Sequence, residues 1–190
     1  MRNVILQEFI SLDGLASGPN GSTEFIPAAL DGDDSFVWRQ SRFLDAVDLL
    51  LLGRVTHQMF AEYWPNVTEG KEKEFADKLN ATGRVVFSRT LDRAPWGKWN
   101  ESRIVRTDPV QEVRSLKAQP GKDMVIWGSL TLARSLMAER LIDQYQLVAL
   151  PVVLGKGTPL FGKEVEPFRL KRKESKAFAR GAVLSTYEPS

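Results

Sequence analysis

The stretch Leu49-Leu50-Leu51-Leu52-Gly53-Arg54-Val55-Thr56 has a counterpart further along the chain in Met124-Val125-Ile126-Trp127-Gly128-Ser129-Leu130-Thr131-Leu132-Ala133. In each, an apolar run of the kind that forms a buried strand is broken by glycine. A segment with helical spacing of its apolar residues follows. The chain thus makes the same strand–glycine–helix junction twice. At such a junction the missing Cβ lets main-chain amides come close to a ligand, and the start of the helix favours an anion. Two junctions on one sheet point to a cofactor that carries more than one phosphate. Neither is the Rossmann fingerprint, because no G-x-G-x-x-G follows a strand anywhere in the chain.

Outward from these junctions, apolar runs alternate with helical patterns. The sequence predicts strands over 4–10, 49–52, 84–88, 103–105 and 124–127, and helices over 31–47, 56–63, 71–80, 109–118 and 130–137. In the first of these helices Phe36, Phe43, Leu44 and Val47 share one face. A loop rich in Gly, Pro and Asn occupies 11–22. After Leu141 the pattern changes to a long apolar strand over 144–154 and two more over 168–173 and 177–187. Lys171-Arg172-Lys173 and Lys176, around Glu174, read as strand edges and a hairpin. An α/β series followed by antiparallel strands specifies a mixed sheet with helices packed on it. No repeat, linker or low-complexity stretch interrupts it, so residues 1–190 are expected to form one domain.

Composition narrows the classes of function. With 190 residues, 43% of them hydrophobic, the chain can bury one sizeable core. A net charge of +2 gives no reason to expect nucleic acid as a partner. The absence of cysteine removes disulfides, thiolate catalysis and zinc–thiolate sites together. One histidine, His57, leaves no basis for a histidine-rich metal site or a Ser–His–Asp triad, and it reads as a half-exposed polar residue. No metal is expected. No apolar stretch approaches the ~18 residues of a spanning helix, and no signal-peptide core precedes the first strand. The expectation is a soluble, cytoplasmic protein without a membrane partner. Gly157 to Lys163 has P-loop spacing, but Glu164 stands where Ser or Thr would hold magnesium.

Five motifs fall in a recognisable order: Ser11-Leu12-Asp13-Gly14, Leu52-Gly53-Arg54-Val55-Thr56, Val86-Phe87-Ser88-Arg89, Trp127-Gly128-Ser129-Leu130 and Leu150-Pro151-Val152-Val153-Leu154-Gly155-Lys156-Gly157. On them the chain resembles the dihydrofolate-reductase-like superfamily from Val4 to about Tyr187. Within it the chain is most similar to the C-terminal reductase domain of the bifunctional riboflavin-biosynthesis deaminase/reductase. The resemblance implies a single-domain dihydrofolate-reductase-like α/β fold and an NADPH-dependent oxidoreductase akin to 5-amino-6-(5-phosphoribosylamino)uracil reductase. It also implies a homodimer. The long apolar strand over 144–154 adds to that expectation, since an uncovered edge there would invite aggregation.

The resemblance further implies roles for residues. Gly53 and Gly128 match positions where backbone approaches NADPH, Ser129 and Leu130 match amides on the pyrophosphate, and Arg54 and Thr56 match side chains on the phosphates. Ser88 and Arg89 match the turn that holds the ribose 2′-phosphate, where a guanidinium favours NADPH over NADH. Asp13 to Ser17, with Ala16 and Ser17, matches the loop beside the nicotinamide. Each has a plainer reading. The glycines serve as strand-to-helix turns, Thr56 as a first-turn helix residue, the arginines as solvated surface groups and Asp13 as a turn cap.

At the substrate end the resemblance is informative through a departure. Folate reductases carry a buried carboxylate on the first helix; an ungapped count back from Gly53 puts Val37 there, with Trp38 beside it. This argues against dihydrofolate as substrate, because the ring's donors would lack a partner. Trp38, Val37, Met59 and Phe60 are the expected pocket residues, with Pro151 at the rim; Met59 and Phe60 fit core packing equally well. The expected chemistry is reduction of a carbonyl or imine, with the proton from water or from Asp13. The rival reading is a non-catalytic NADP(H)-binding or sensing module of the same fold, or a plain interaction domain.

Overall fold

A strand sends successive side chains to opposite faces of its sheet, so a strand covered on both faces must be apolar at nearly every position. The run Leu50-Leu51-Leu52 meets that demand and is fully buried. The computed structural model describes residues 2–190. In chain order its elements are β1 (Val4–Ile10), β2 (Leu15–Ser17), α1 (Phe25–Leu30), α2 (Asp34–Leu44), β3 (Val47–Gly53), α3 (Arg54–Tyr63), α4 (Lys73–Ala81) and β4 (Gly83–Phe87). There follow β5 (Arg103–Val105), α5 (Pro109–Ala118), β6 (Asp123–Trp127), α6 (Leu130–Ala138), β7 (Gln144–Ala149), β8 (Thr158–Pro159), β9 (Leu170–Ala177) and β10 (Val183–Pro189).

Eight strands form one sheet in the order β5-β4-β3-β6-β1-β7-β10-β9. The pairings from β5 to β7 are parallel, and β10 joins both β7 and β9 antiparallel. This is the mixed, mainly parallel α/β sheet with antiparallel C-terminal strands that the sequence predicts. On one face Leu6, Leu51 and Ile126 pack with Leu116 of α5 and Leu132 and Leu136 of α6. On the other, Ile5, Leu50, Leu52 and Val125 pack with Phe43 of α2 and Phe75 and Leu79 of α4. The parallel arrangement brings the C-terminal ends of β4, β3, β6 and β1 to one rim, the place where open α/β sheets bind ligands.

Several local expectations are corrected. The strand predicted over 144–154 ends at Ala149, because Pro151 has no N–H for a ladder and the chain bends there, with the Val152 N–H donating to Leu150 O at 2.7 Å. β7 is also interior, paired with β1 and β10, so the uncovered-edge argument for a homodimer fails. The C-terminal edge of the sheet is β9, whose exposed Lys171, Arg172, Lys173 and Lys176 oppose edge-to-edge pairing. Glu174 lies within that strand opposite Thr186; the hairpin turns later, at Gly181, where φ is +86°. The helix predicted over 31–47 is shorter at both ends, and Val47 opens β3. Within the predicted loop, β2 forms by pairing with β8, a long-range contact with no local signature. His57 is buried, its Nε2 at 3.0 Å from Ser102 Oγ and its ring against Trp96. Among the described residues no helix is long and apolar enough to cross a membrane.

Candidate active site

β3 and β6 are neighbours, so their junctions to α3 and α6 lie side by side and clasp each other. The Gly53 N–H donates to Ser129 Oγ at 2.7 Å. Thr56 Oγ1 accepts from the Ser129 N–H at 3.1 Å and from Ser129 Oγ at 3.0 Å. A Cβ on Gly53 would stand 3.2 Å from Ser129 Oγ, and one on Gly128, where φ is +55°, 2.9 Å from Thr56 Oγ1. Each glycine therefore makes room for the opposite junction. Thr56 is 7% exposed and belongs to the clasp, which also engages the Ser129 amide. The other first-turn amides of both helices, Arg54 and Val55 in α3, Leu130 and Thr131 in α6, have no intrahelical partner. Neither helix has a side-chain cap. Two uncapped helix starts side by side have the chemistry that suits an anion.

The junctions form the floor of a cleft of about 1280 Å³ across the strand ends. It brings together Ala16, Ser17, Gly53, Arg54, Thr56, Ser88, Arg89, Gly128, Ser129 and Leu130 with Val37, Met59 and Phe60. Arg54, Arg89 and Arg106 are exposed along it, and among the described residues none of the three forms an ion pair. By contrast, Arg103 and Arg114 are held by Glu112 and Glu139, each at 2.6 Å. Ser88 Oγ accepts from the N–H groups of Thr90 and Leu91, at 3.2 and 3.1 Å, which shapes the turn that presents Arg89.

Three expected residues lie elsewhere. Asp13 is tied down: its carboxylate accepts the N–H groups of Leu154 at 3.1 Å and Gly155 at 2.8 Å. Bonds from Ser11, Leu154 and Gly155 hold it at about 2, so it staples the loop and is ill suited to donate a proton. Trp38 is 56% exposed, with the Arg42 guanidinium 5.6 Å from its ring centre, because it sits on the outer face of α2. Pro151 lines a separate hollow with Phe25 and Ala29.

The sequence reading did not single out Glu8, Gln7 or Gln40, which are buried in the cleft lining. Glu8, on β1, is 4% exposed and its Oε1 has no partner. Burial pushes its carboxyl up to about 8, against an opposing pull from the amides of Gly128 and Phe9. The signal was present: Glu8 shares its strand face with the buried Val4 and Leu6, where strand periodicity demands an apolar residue. On the opposite face, Gln7 Oε1 accepts from Gln40 Nε2 at 2.6 Å and Trp127 Nε1 at 2.7 Å, and Gln7 Nε2 donates to Gln146 at 2.8 Å. Asp33, also buried at the cleft, caps α2 by accepting the Phe36 N–H at 3.2 Å and ties that helix to the Arg180 N–H at 3.1 Å.

Residues 2–184 match the family model of the RibD C-terminal domain. The chain is 31% identical to the uncharacterized protein YyaP of Bacillus subtilis over 187 residues, 98% of this chain and 94% of that protein. RibD of Acinetobacter baumannii superposes with a TM-score of 0.72 at 18% identity, covering 100% of this chain and 58% of its own. Dihydrofolate reductase of Enterococcus faecalis, solved in complex with NADP(H), gives 0.65 at 13% identity over 99% and 96% of the two chains. At these identities the structural likeness speaks for the fold.

Proposed function

The chain belongs to the RibD C-terminal domain family, and we propose that it is an NADPH-dependent reductase of a small carbonyl or imine compound of the pyrimidine or pterin type. The observation that carries this reading is the line of unsatisfied anion-binding groups across the strand ends. Arg89 follows β4, Arg54 starts the helix after β3, and the free amides of Leu130 and Thr131 follow β6. A dinucleotide with three phosphate groups fits such a row: pyrophosphate over the two clasped helix starts, ribose 2′-phosphate at Arg89. Bound NADPH supplies the hydride for the carbonyl or imine carbon. The protein's own part is to hold both reactants in line and to exclude water.

At the far side of the cleft, Val37, Met59 and Phe60 form an apolar wall, and Gln7 and Gln40 are buried and bonded to each other. Such a wall suits the flat apolar faces of a heterocycle. The first helix has Val37 in place of a carboxylate, and the cleft has a buried carboxyl in Glu8 on β1. The test is nucleotide binding followed by protein fluorescence. NADPH is expected to bind at micromolar or lower concentration and more tightly than NADH. Arg89→Ala is expected to weaken NADPH selectively by roughly 1.5–3 kcal/mol, the worth of a charge-assisted contact. Equal affinity of the parent protein for both nucleotides would sink the reading.

A further inference from the structure

The sheet order carries the cofactor reading one step further. β4, β3, β6 and β1 are consecutive neighbours, so the row of anion-binding groups that begins at Arg89 and crosses the two clasped junctions ends beside β1. From β4 to β1 is three strand spacings, about 14 Å, on the scale of an extended dinucleotide. With its 2′-phosphate at β4 and its pyrophosphate over β3 and β6, the nicotinamide half falls on the C-terminal part of β1. The titratable side chain there is Glu8, beside Gly128 in the sheet because Gln7 pairs with Trp127. It is buried, lines the cleft and has an oxygen without a partner.

We propose that Glu8 is the catalytic residue that meets the nicotinamide ring and supplies the proton that the reduction requires; this rests on the cofactor reading above. Among the described residues no cation forms an ion pair with Glu8. Its strand neighbours are Leu147 of β7 and the β6 end at Trp127-Gly128, and neither presents a charge. β2 and β8 contribute Ala16, Ser17 and Thr158. On α6 the one charged side chain is Arg134, which is engaged by Glu164 and the carbonyls of Pro159 and Leu160. Asp13 is turned to Leu154 and Gly155, and Asp123 lies at the opposite end of β6. In this setting burial keeps the carboxyl protonated near neutral pH.

A neutral carboxylic acid matches the reduced nicotinamide, whose ring has no charge, and the unpartnered Oε1 is free to carry the proton toward the substrate. The hydride, with its electron pair, passes to the carbonyl or imine carbon, and Glu8 gives its proton to the oxygen or nitrogen. The products are alcohol or amine, oxidised nucleotide and Glu8 carboxylate. The positive charge on the oxidised ring then faces that carboxylate, so oxidation makes Glu8 a stronger acid when its proton is needed. After the oxidised nucleotide leaves, Glu8 takes a proton from water.

The experiment needs no substrate. Binding of NADP+, NADPH and 2′,5′-ADP is measured by calorimetry from pH 6.5 to 9.5 in buffers of different ionisation enthalpy. NADP+ is expected to release a proton near pH 7 to 8, and NADPH is not. The ratio of NADP+ to NADPH affinity is expected to rise tenfold or more across the range, as a shift of one unit or more in the Glu8 pKa requires. Glu8→Gln is expected to make the ratio independent of pH while leaving 2′,5′-ADP, which lacks the nicotinamide, unaffected. Identical pH dependence for the two nucleotides in the parent protein would overturn the role of Glu8, even if the variant fails to fold. So would a linkage that persists in Glu8→Gln. If 2′,5′-ADP binds but the linkage is missing, Glu8 alone falls; if none of the three binds, the cofactor reading falls and takes Glu8 with it.

Discussion

Replacing Glu8 by glutamine should stabilise the protein in neutral and alkaline solution, by an amount that depends on pH in a set way. In the unfolded chain the carboxyl titrates near its ordinary value of 4.5; in the folded protein burial raises it to about 8. Below pH 4.5 both states bind the proton and Glu8 favours neither. Between the two values the unfolded chain ionises and the folded one does not, so stability falls as pH rises. The slope is about 1.4 kcal/mol per pH unit. Across a window about 3.5 pH units wide the loss reaches about 5 kcal/mol, and it levels off once the folded carboxyl has ionised. Against a typical total of about 5–15 kcal/mol this is a heavy cost for one side chain, of the kind that functional sites carry. Glutamine keeps the shape and has no proton to lose. Urea unfolding of both proteins from pH 5 to 9 gives the difference directly, since all other titrating groups cancel. It should be small at pH 5 and grow with the stated sign until about pH 8. A difference that is flat with pH, or that favours the parent protein at pH 8, would refute a neutral buried Glu8.

Gly128→Ala should cost about 2–4 kcal/mol in urea unfolding, because it forces a side chain to positive φ and displaces the Thr56 hydroxyl from its two bonds with Ser129. Gly53→Ala, at an ordinary φ of −81° and against a flexible Ser129 hydroxyl, should cost markedly less. Asp33→Ala should lose about 1–2 kcal/mol as the cap of α2 is removed. For Asp33 burial acts upward, but bonds from Ser35, Arg180 and Phe36 outweigh it and leave the carboxyl below its ordinary value. Its contribution should therefore be present at neutral pH and vanish as pH falls through that lowered value, which an acid titration of both proteins would reveal. Dihydrofolate should show negligible turnover with NADPH, because Val37 offers no anion to its ring; rapid absorbance loss at 340 nm with this substrate would contradict that placement.

What the chain determines by itself is the succession of elements and the position of the two glycine junctions. Those signals are local: a four-residue apolar run is short for a helix and fits a strand buried on both faces, and a glycine followed by helical spacing marks where that strand ends. That Gly53, Arg54, Ser88, Arg89, Gly128, Ser129 and Leu130 lie together in the cleft follows from the same local signals, since they stand at or just after the ends of β3, β4 and β6. Tertiary structure decided the rest. Thr56 and Ser129 read as independent phosphate ligands until β3 and β6 became neighbours and joined them in one clasp. Trp38 looked like a pocket residue beside Val37, yet a helix turns about 100° per residue and carries it to solvent while Val37 stays in the cleft. Asp13 reads as a loop acid until the segment after Pro151, far along the chain, supplies the two amides that hold it. Glu8 is an ordinary charged residue in sequence; only burial between β6 and β7, with no cation from either, gives it a neutral carboxyl. Desolvation and long-range hydrogen bonds are properties of the assembled surroundings, and no window of neighbouring residues contains them.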